Sequence, residues 1–232
     1  MGAALEEKVT QAVRQHDPGR APWVLHLEEA TRGRRVVIRS GRDVKSWAEK
    51  FPTPEEVRPS SCQRCGAASR PLGGLLQLHG HGVRSRQVRG PATPTGPPEL
   101  RVTSVRRYLC TRCRATQTVT PREVLAKRLF SAAAIALALA FFGVTEMALS
   151  EVRARISPWV AVGATAAAGW VSLRRWVVAV REGRLFAVRA APTTWTARQV
   201  AARAAMTLAA RAPVRPGTDD VVANAFVGAL SG

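Results

Sequence analysis

Cys62-Gln63-Arg64-Cys65 and Cys110-Thr111-Arg112-Cys113 decide how the rest of the chain reads, and between them they use all four cysteines. A C-x-x-C turn aims two thiolates at one point, so two such turns supply the four soft ligands that a structural Zn²⁺ takes in a tetrahedron. The flanks agree. Gly66 follows the first pair where a tight turn needs positive φ, and Arg101-Val-Thr-Ser-Val-Arg-Arg-Tyr-Leu109 leads into the second as a β-like stretch. The expectation is a zinc ribbon with Cys62, Cys65, Cys110 and Cys113 as ligands and structural Zn²⁺ as cofactor. Four protein ligands leave no open position, so such an ion holds a fold and catalyses nothing. Arg64, Arg106, Arg107, Arg112 and Arg114 surround the sulfurs in sequence and are expected to favour the thiolate form.

Other uses of the cysteines fit less well. Disulfides suit secreted chains, and the N-terminus shows no signal-peptide pattern. A redox C-x-x-C sits on a helix after a strand, whereas both pairs here have basic, β-like flanks. The spacer is unusual, since 44 residues separate the pairs against roughly 15 to 20 in a common ribbon. Leu75-Leu-Gln-Leu-His-Gly-His-Gly-Val83 and Arg84-Ser-Arg-Gln-Val-Arg-Gly90 read as a strand and a basic second strand, and Pro91-Ala-Thr-Pro-Thr-Gly-Pro-Pro98 as a loop. An extended, looped hairpin therefore fills the spacer. His79 and His81 lie in a polar turn, where four thiolates already complete the metal site.

Lys plus Arg outnumber Asp plus Glu by 35 to 16, a net charge of +19, and only Lys8, Lys45, Lys50 and Lys127 are lysines. A GC-rich genome inflates arginine everywhere, but here the charge is localised: Arg58 to Arg122 holds twelve arginines and one acid, Glu99. A zinc-held module that basic is a footprint for phosphates, and nucleic acid is the expected partner. Arg84, Arg86, Arg89, Arg106, Arg107, Arg112 and Arg114 are its candidate contacts.

The expected class is α+β, with a small N-terminal α+β cap (1–57), the ribbon (58–119), a helix-turn-helix-like helical domain (120–190) and a helical tail (191–232). In the cap, Leu5, Val9 and Val13 form a short amphipathic pattern. A hairpin is expected from Trp23–Leu27 to Arg35–Ile38, and Pro52, Pro54 and Pro59 mark a boundary. Thr120-Pro121-Arg122-Glu123 carries the signals of an N-cap, a first-turn proline and a capping box, so a helix is expected from there to about Phe142. A second follows over Glu146 to Arg155 with Thr145 as cap. Ser172 then caps Leu173 to Arg181, with Leu173, Trp176, Val177 and Val180 on one apolar face and Arg174, Arg175 and Arg181 largely off it, as candidate DNA contacts to guanine edges or phosphates. In the tail, helices are expected over Thr194–Ala212 and Asp219–Leu230. Val221, Val222, Phe226 and Leu230 form a docking face there for homo-oligomerisation.

The succession Arg106-Arg-Tyr-Leu-Cys-Thr-Arg-Cys-Arg114, then Thr118-Val-Thr-Pro121, then alanine-rich helices ending in Ser172-Leu-Arg-Arg-Trp176, resembles the zinc-ribbon plus helix-turn-helix region of bacterial transposases and insertion-sequence proteins. The resemblance spans roughly residues 60 to 190. It implies duplex DNA as partner, recognition by Ser172, Arg174 and Arg175, and a separate catalytic transposase subunit. The family's own catalytic half, with three spaced carboxylates for Mg²⁺, has no counterpart. After the ribbon the acids are Glu123, Glu146, Glu151, Glu182, Asp219 and Asp220, which assemble into no two-metal site. No catalytic motif with a nucleophile, a glycine loop or an open metal position stands out, so the chain reads as no enzyme. The expected location is cytoplasmic, on the nucleoid.

Two other readings stay open. Residues 129–145 and 156–173 are uncharged runs of seventeen and eighteen, which would make a membrane hairpin, although small residues, Pro158 and the amphipathic link between them argue against it. The ribbon could also bind RNA or another protein.

Overall fold

Alternating β-rich sequence on either side of the second cysteine pair builds the sheet. In the computed structural model, residues 36–160, 162–163, 169–214 and 220–231 are described, and they form an α+β fold. Strand β1 (Val36–Arg39), helix α1 (Val44–Glu49) and strands β2 (Leu78–Arg89), β3 (Leu100–Cys110) and β4 (Thr116–Thr120) make up the first part. Helices α2 (Ala132–Gly143), α3 (Leu149–Ile156), α4 (Val171–Arg181), α5 (Ala197–Ala209) and α6 (Val221–Gly228) make up the second. The sheet order is β1-β4-β3-β2. β2 and β3 are antiparallel, with Leu78 opposite Cys110 and Arg89 opposite Leu100, and the Pro91–Pro98 loop joins them. β3 and β4 are also antiparallel, while β1 lies parallel to β4 with Val36 opposite Gln117.

β2 is one strand where the sequence suggested two. β3 is long enough to pair along its length, and the surplus residues at Gly80–Val83 are absorbed as a register shift, with Gly82 at φ +83°. The expected N-terminal hairpin is described only in part. Val36–Arg39 pairs with β4, while its expected mate Trp23–Leu27 and the Leu5–Val13 pattern lie outside the described residues. The segment before residue 57 contributes to the ribbon core: Trp47 of α1 is fully buried against Leu78, Tyr108 and Val119, and its Nε1–H donates to the Ser104 carbonyl at 2.7 Å.

The helix expected from Thr120 starts instead at Ala132. Thr120 closes β4, and its carbonyl accepts the Ser40 N–H at 2.8 Å, so the sheet ladder claims the backbone that a cap requires. Glu123 serves a different helix: its Oε2 accepts the Val44 N–H at the start of α1, at 2.9 Å. The N-cap of α2 is Ser131, whose buried Oγ accepts the Ala134 N–H at 3.0 Å. Thr145 likewise caps nothing. Its hydroxyl donates back to the Phe141 carbonyl, and α3 begins after Ala148, whose N–H donates to Glu151. α4 begins after Trp170, which puts Ser172 inside its first turn.

α2 is the axis of the helical half. Ala132 through Ala140 are all buried. Ile135, Leu137 and Leu139 face a cluster with Val152 and Ile156 of α3 and Leu173 and Trp176 of α4, while Ala132, Ala136 and Ala140 meet Ala205, Leu208 and Ala225 of α5 and α6. A helix covered on all sides is apolar all round, which accounts for the 129–145 run. No described helix is long and apolar enough to cross a membrane. Alanines and glycines let the helices close up: a Cβ on Gly143 would overlap the backbone of Ala202, and one on Gly228 the carbonyl of Leu208. The face read as a docking surface is used inside the chain, since Phe226 is buried and Val222 and Leu230 pack on the same core.

Candidate metal centre and arginine surface

Each cysteine pair is built as the same turn. The Gly66 N–H donates to the Cys62 carbonyl at 2.8 Å and the Cys62 N–H to Ala67 at 2.8 Å; the Arg114 N–H donates to Cys110 at 2.9 Å and the Cys110 N–H to Ala115 at 3.0 Å. Closing the turn requires a left-handed residue after the second cysteine, and Gly66 (φ +71°) and Arg114 (φ +59°) supply it. Gly66 was legible in the sequence, but its arginine counterpart was not.

The two turns bring all four Sγ atoms within 4.8 Å of one another, with Cys62–Cys113 at 3.6 Å and Cys65–Cys110 at 3.8 Å. A tetrahedral ion with metal–sulfur bonds of about 2.3 Å has sulfur–sulfur edges of about 3.8 Å, so the set fits a four-coordinate metal. All four cysteines are free thiols. Cys62 and Cys110 are buried at the bottom of the ribbon core. The Ala67 N–H is the main influence that lowers the Cys65 thiol to about 7, and burial pushes Cys113 up to about 12. Backbone, burial and the neighbouring sulfurs therefore set Cys65 and Cys113, where the sequence had suggested the nearby arginines. His79 lies apart from the cluster, with Nε2 2.8 Å from the Leu76 carbonyl.

The arginines divide by role. Arg106 donates through Nε to the Pro52 carbonyl at 2.7 Å and lies 4.3 Å over Phe51; Arg181 donates to the Trp195 carbonyl at 2.7 Å; Arg89 bonds Gln87 and covers Trp159. These three tie the fold together. Arg84, Arg107, Arg112, Arg114, Arg174 and Arg175 form no ion pair among the described residues. The register, with Arg84 opposite Val105 and Arg107 opposite Thr118, puts Arg84, Arg86 and Arg107 on one face of the sheet. Arg86 runs from that face to the Arg128 carbonyl at 3.1 Å. Arg174 and Arg175 are exposed on α4, opposite its buried Leu173, Trp176, Val177 and Val180, and Ser172 is half-buried.

Sequence reasoning missed Arg128 and Arg184, which line a cleft with Arg174 and Arg175. No local pattern could reveal them, because the cleft exists only once residues 121–131 run as a connector past α4. No family model, curated protein or solved structure matches this chain.

Proposed function

We propose that the chain is a zinc-stabilised nucleic-acid-binding protein whose partner is duplex DNA, held mainly through its phosphates. The observation that carries this reading is the set of arginines without carboxylate partners among the described residues, spread over the ribbon turns, one sheet face and the outer side of α4. A surface kept charged only for solubility intersperses both signs. One-signed guanidiniums instead build a potential that collects polyanions, and each phosphate neutralised adds to a salt-dependent affinity. Zinc is the metal assigned to the four thiolates, because a compact S₄ tetrahedron suits it and it brings no redox chemistry. Its role is to hold the turns that carry Arg112 and Arg114.

The resemblance to transposase DNA-binding regions would make Ser172, Arg174 and Arg175 base readers, working beside a separate catalytic subunit or in a transcriptional regulator. α4 is assigned here to phosphates, because its exposed Arg174 and Arg175 form no ion pair among the described residues. A selection from random duplexes at near-physiological salt, followed by salt titration of the bound sites, tests this. Arg174→Ala and Arg175→Ala should each weaken all sequences alike and lower the salt slope by about 1. Loss of preference at one base, worth about 1–3 kcal/mol, would make them base readers after all. Wild-type protein without salt-dependent duplex binding refutes the proposal, and preference for single-stranded RNA would move the assignment to RNA.

A further inference from the structure

Arg128, Arg174, Arg175 and Arg184 line one cleft of about 340 Å³, and Val171 and Val178 complete its wall. Three elements deliver these side chains: the connector before α2, the outer face of α4 and the turn after it. Among the described residues the only carboxylate paired with any of the four is Glu182, bound to Arg184. The cleft therefore holds four positive charges against one negative. Burial, and then the charges of Arg184 and Arg175, lower the guanidinium pKa of Arg128 below its ordinary value. Arg128 cannot simply swing away with its backbone, because its carbonyl is held by Arg86. Like charges gathered this way repel one another, and a bound anion removes that cost.

We infer that this cleft is a binding site for adjacent phosphate groups carried on a nucleoside. One phosphodiester supplies a single negative charge, whereas the cleft's net of +3 calls for two or more neighbouring phosphates. Val171 and Val178 are 48% and 46% exposed, and they offer an apolar wall to the sugar or base beside the phosphates, at the lower end of the size range for small-ligand sites. The inference deepens the nucleic-acid reading and rests on it for the source of the ligand, which is either a strand or a free nucleoside polyphosphate. The chemistry of the cleft is common to both.

The test uses the full zinc-loaded chain, with inorganic pyrophosphate and a 20-base-pair duplex as probes and zinc content checked throughout. Pyrophosphate should raise the melting temperature of the wild type and of Lys45→Gln, a control exposed on α1 and outside the arginine set. Arg128→Gln and Arg175→Gln should each bind pyrophosphate at least tenfold more weakly, and Arg128→Gln should melt higher than the wild type without ligand because the repulsion is gone. Should Arg128→Gln not fold, Arg175→Gln, exposed on α4, carries the test alone. Pyrophosphate that leaves the wild type unshifted, or that binds wild type and folded cleft variants equally, overturns the site. Duplex binding by a wild type that pyrophosphate leaves unshifted keeps the DNA reading standing without the cleft. Cleft-dependent pyrophosphate binding by a wild type that ignores duplex leaves the cleft standing and assigns its ligand to free nucleotides. Duplex displaced by pyrophosphate and weakened in both variants assigns it to a strand.

Discussion

Gly66 and Arg114 occupy the same place in the two cysteine turns, and exchanging their residue types should shift stability in opposite directions. At Gly66 nothing lies within 4 Å of where a Cβ would stand, so Gly66→Ala meets no clash and its cost is the left-handed backbone alone. That cost is about 1–2 kcal/mol, less about 0.4–1 kcal/mol because alanine restricts the unfolded chain. The net is a destabilisation of roughly 1 kcal/mol. Arg114→Gly reverses both contributions: the backbone strain at φ +59° disappears, the unfolded chain gains freedom, and the balance is roughly 1 kcal/mol in favour of the fold. The Arg114 N–H bond to Cys110 survives, since it is a backbone bond, and the arginine side chain is exposed. Zinc release to a chromogenic chelator in graded denaturant reads both variants against the wild type. A shift of 1 kcal/mol changes the folded-to-unfolded ratio about fivefold. Arg114→Gly that releases zinc more readily, or Gly66→Ala that behaves as wild type, would refute the claim that backbone conformation governs these two positions.

Gly143→Ala and Gly228→Ala should each destabilise by about 1–3 kcal/mol or more, because the new methyl overlaps the backbone of a neighbouring helix; thermal melting checks this against the gain a glycine-to-alanine change normally brings to a helix. Ser131→Ala should cost about 1–2 kcal/mol by leaving the Ala134 N–H at the buried start of α2 without its cap, measured by chemical denaturation. Glu123 is raised above its ordinary value chiefly by burial, so its ionisation opposes folding: the fold gains from the protonated form at low pH and loses that gain as pH rises through the folded-state value. Glu123→Gln, which can still accept the Val44 N–H, should therefore be at least as stable as the wild type at pH 7, with its advantage vanishing in acid; melting curves across pH test the sign.

The cysteine cluster and β3 were legible because their signals are local: two cysteines per turn, and alternation along one strand. Thr120–Glu123 shows the limit of such signals. Four residues with every mark of a helix start are overruled by β1, which reaches Thr120 from about eighty positions earlier and leaves Glu123 to cap α1. The 129–145 run was legible as buried, but what buries it was not, since hydropathy cannot distinguish lipid from a shell of four helices. Arginine roles were the least legible. Arg106 and Arg181 matched the pattern for phosphate contacts yet hold carbonyls of the fold, while Arg128, in a stretch read as helix, ends up lining the cleft.

The sheet also fixes an order of events during synthesis. Cys62 and Cys113, which meet at 3.6 Å, are 51 residues apart. At about 5–20 residues per second, the first cysteine turn spends roughly 3–10 s as a two-thiolate fragment before the second leaves the ribosome, open in that interval to any metal or oxidant in the surroundings. β1 emerges earlier still, yet its partner among the described strands is β4, the last of the four to be made. β1, the earliest of the described strands, therefore cannot take its place beside β4 until the last of them has left the ribosome.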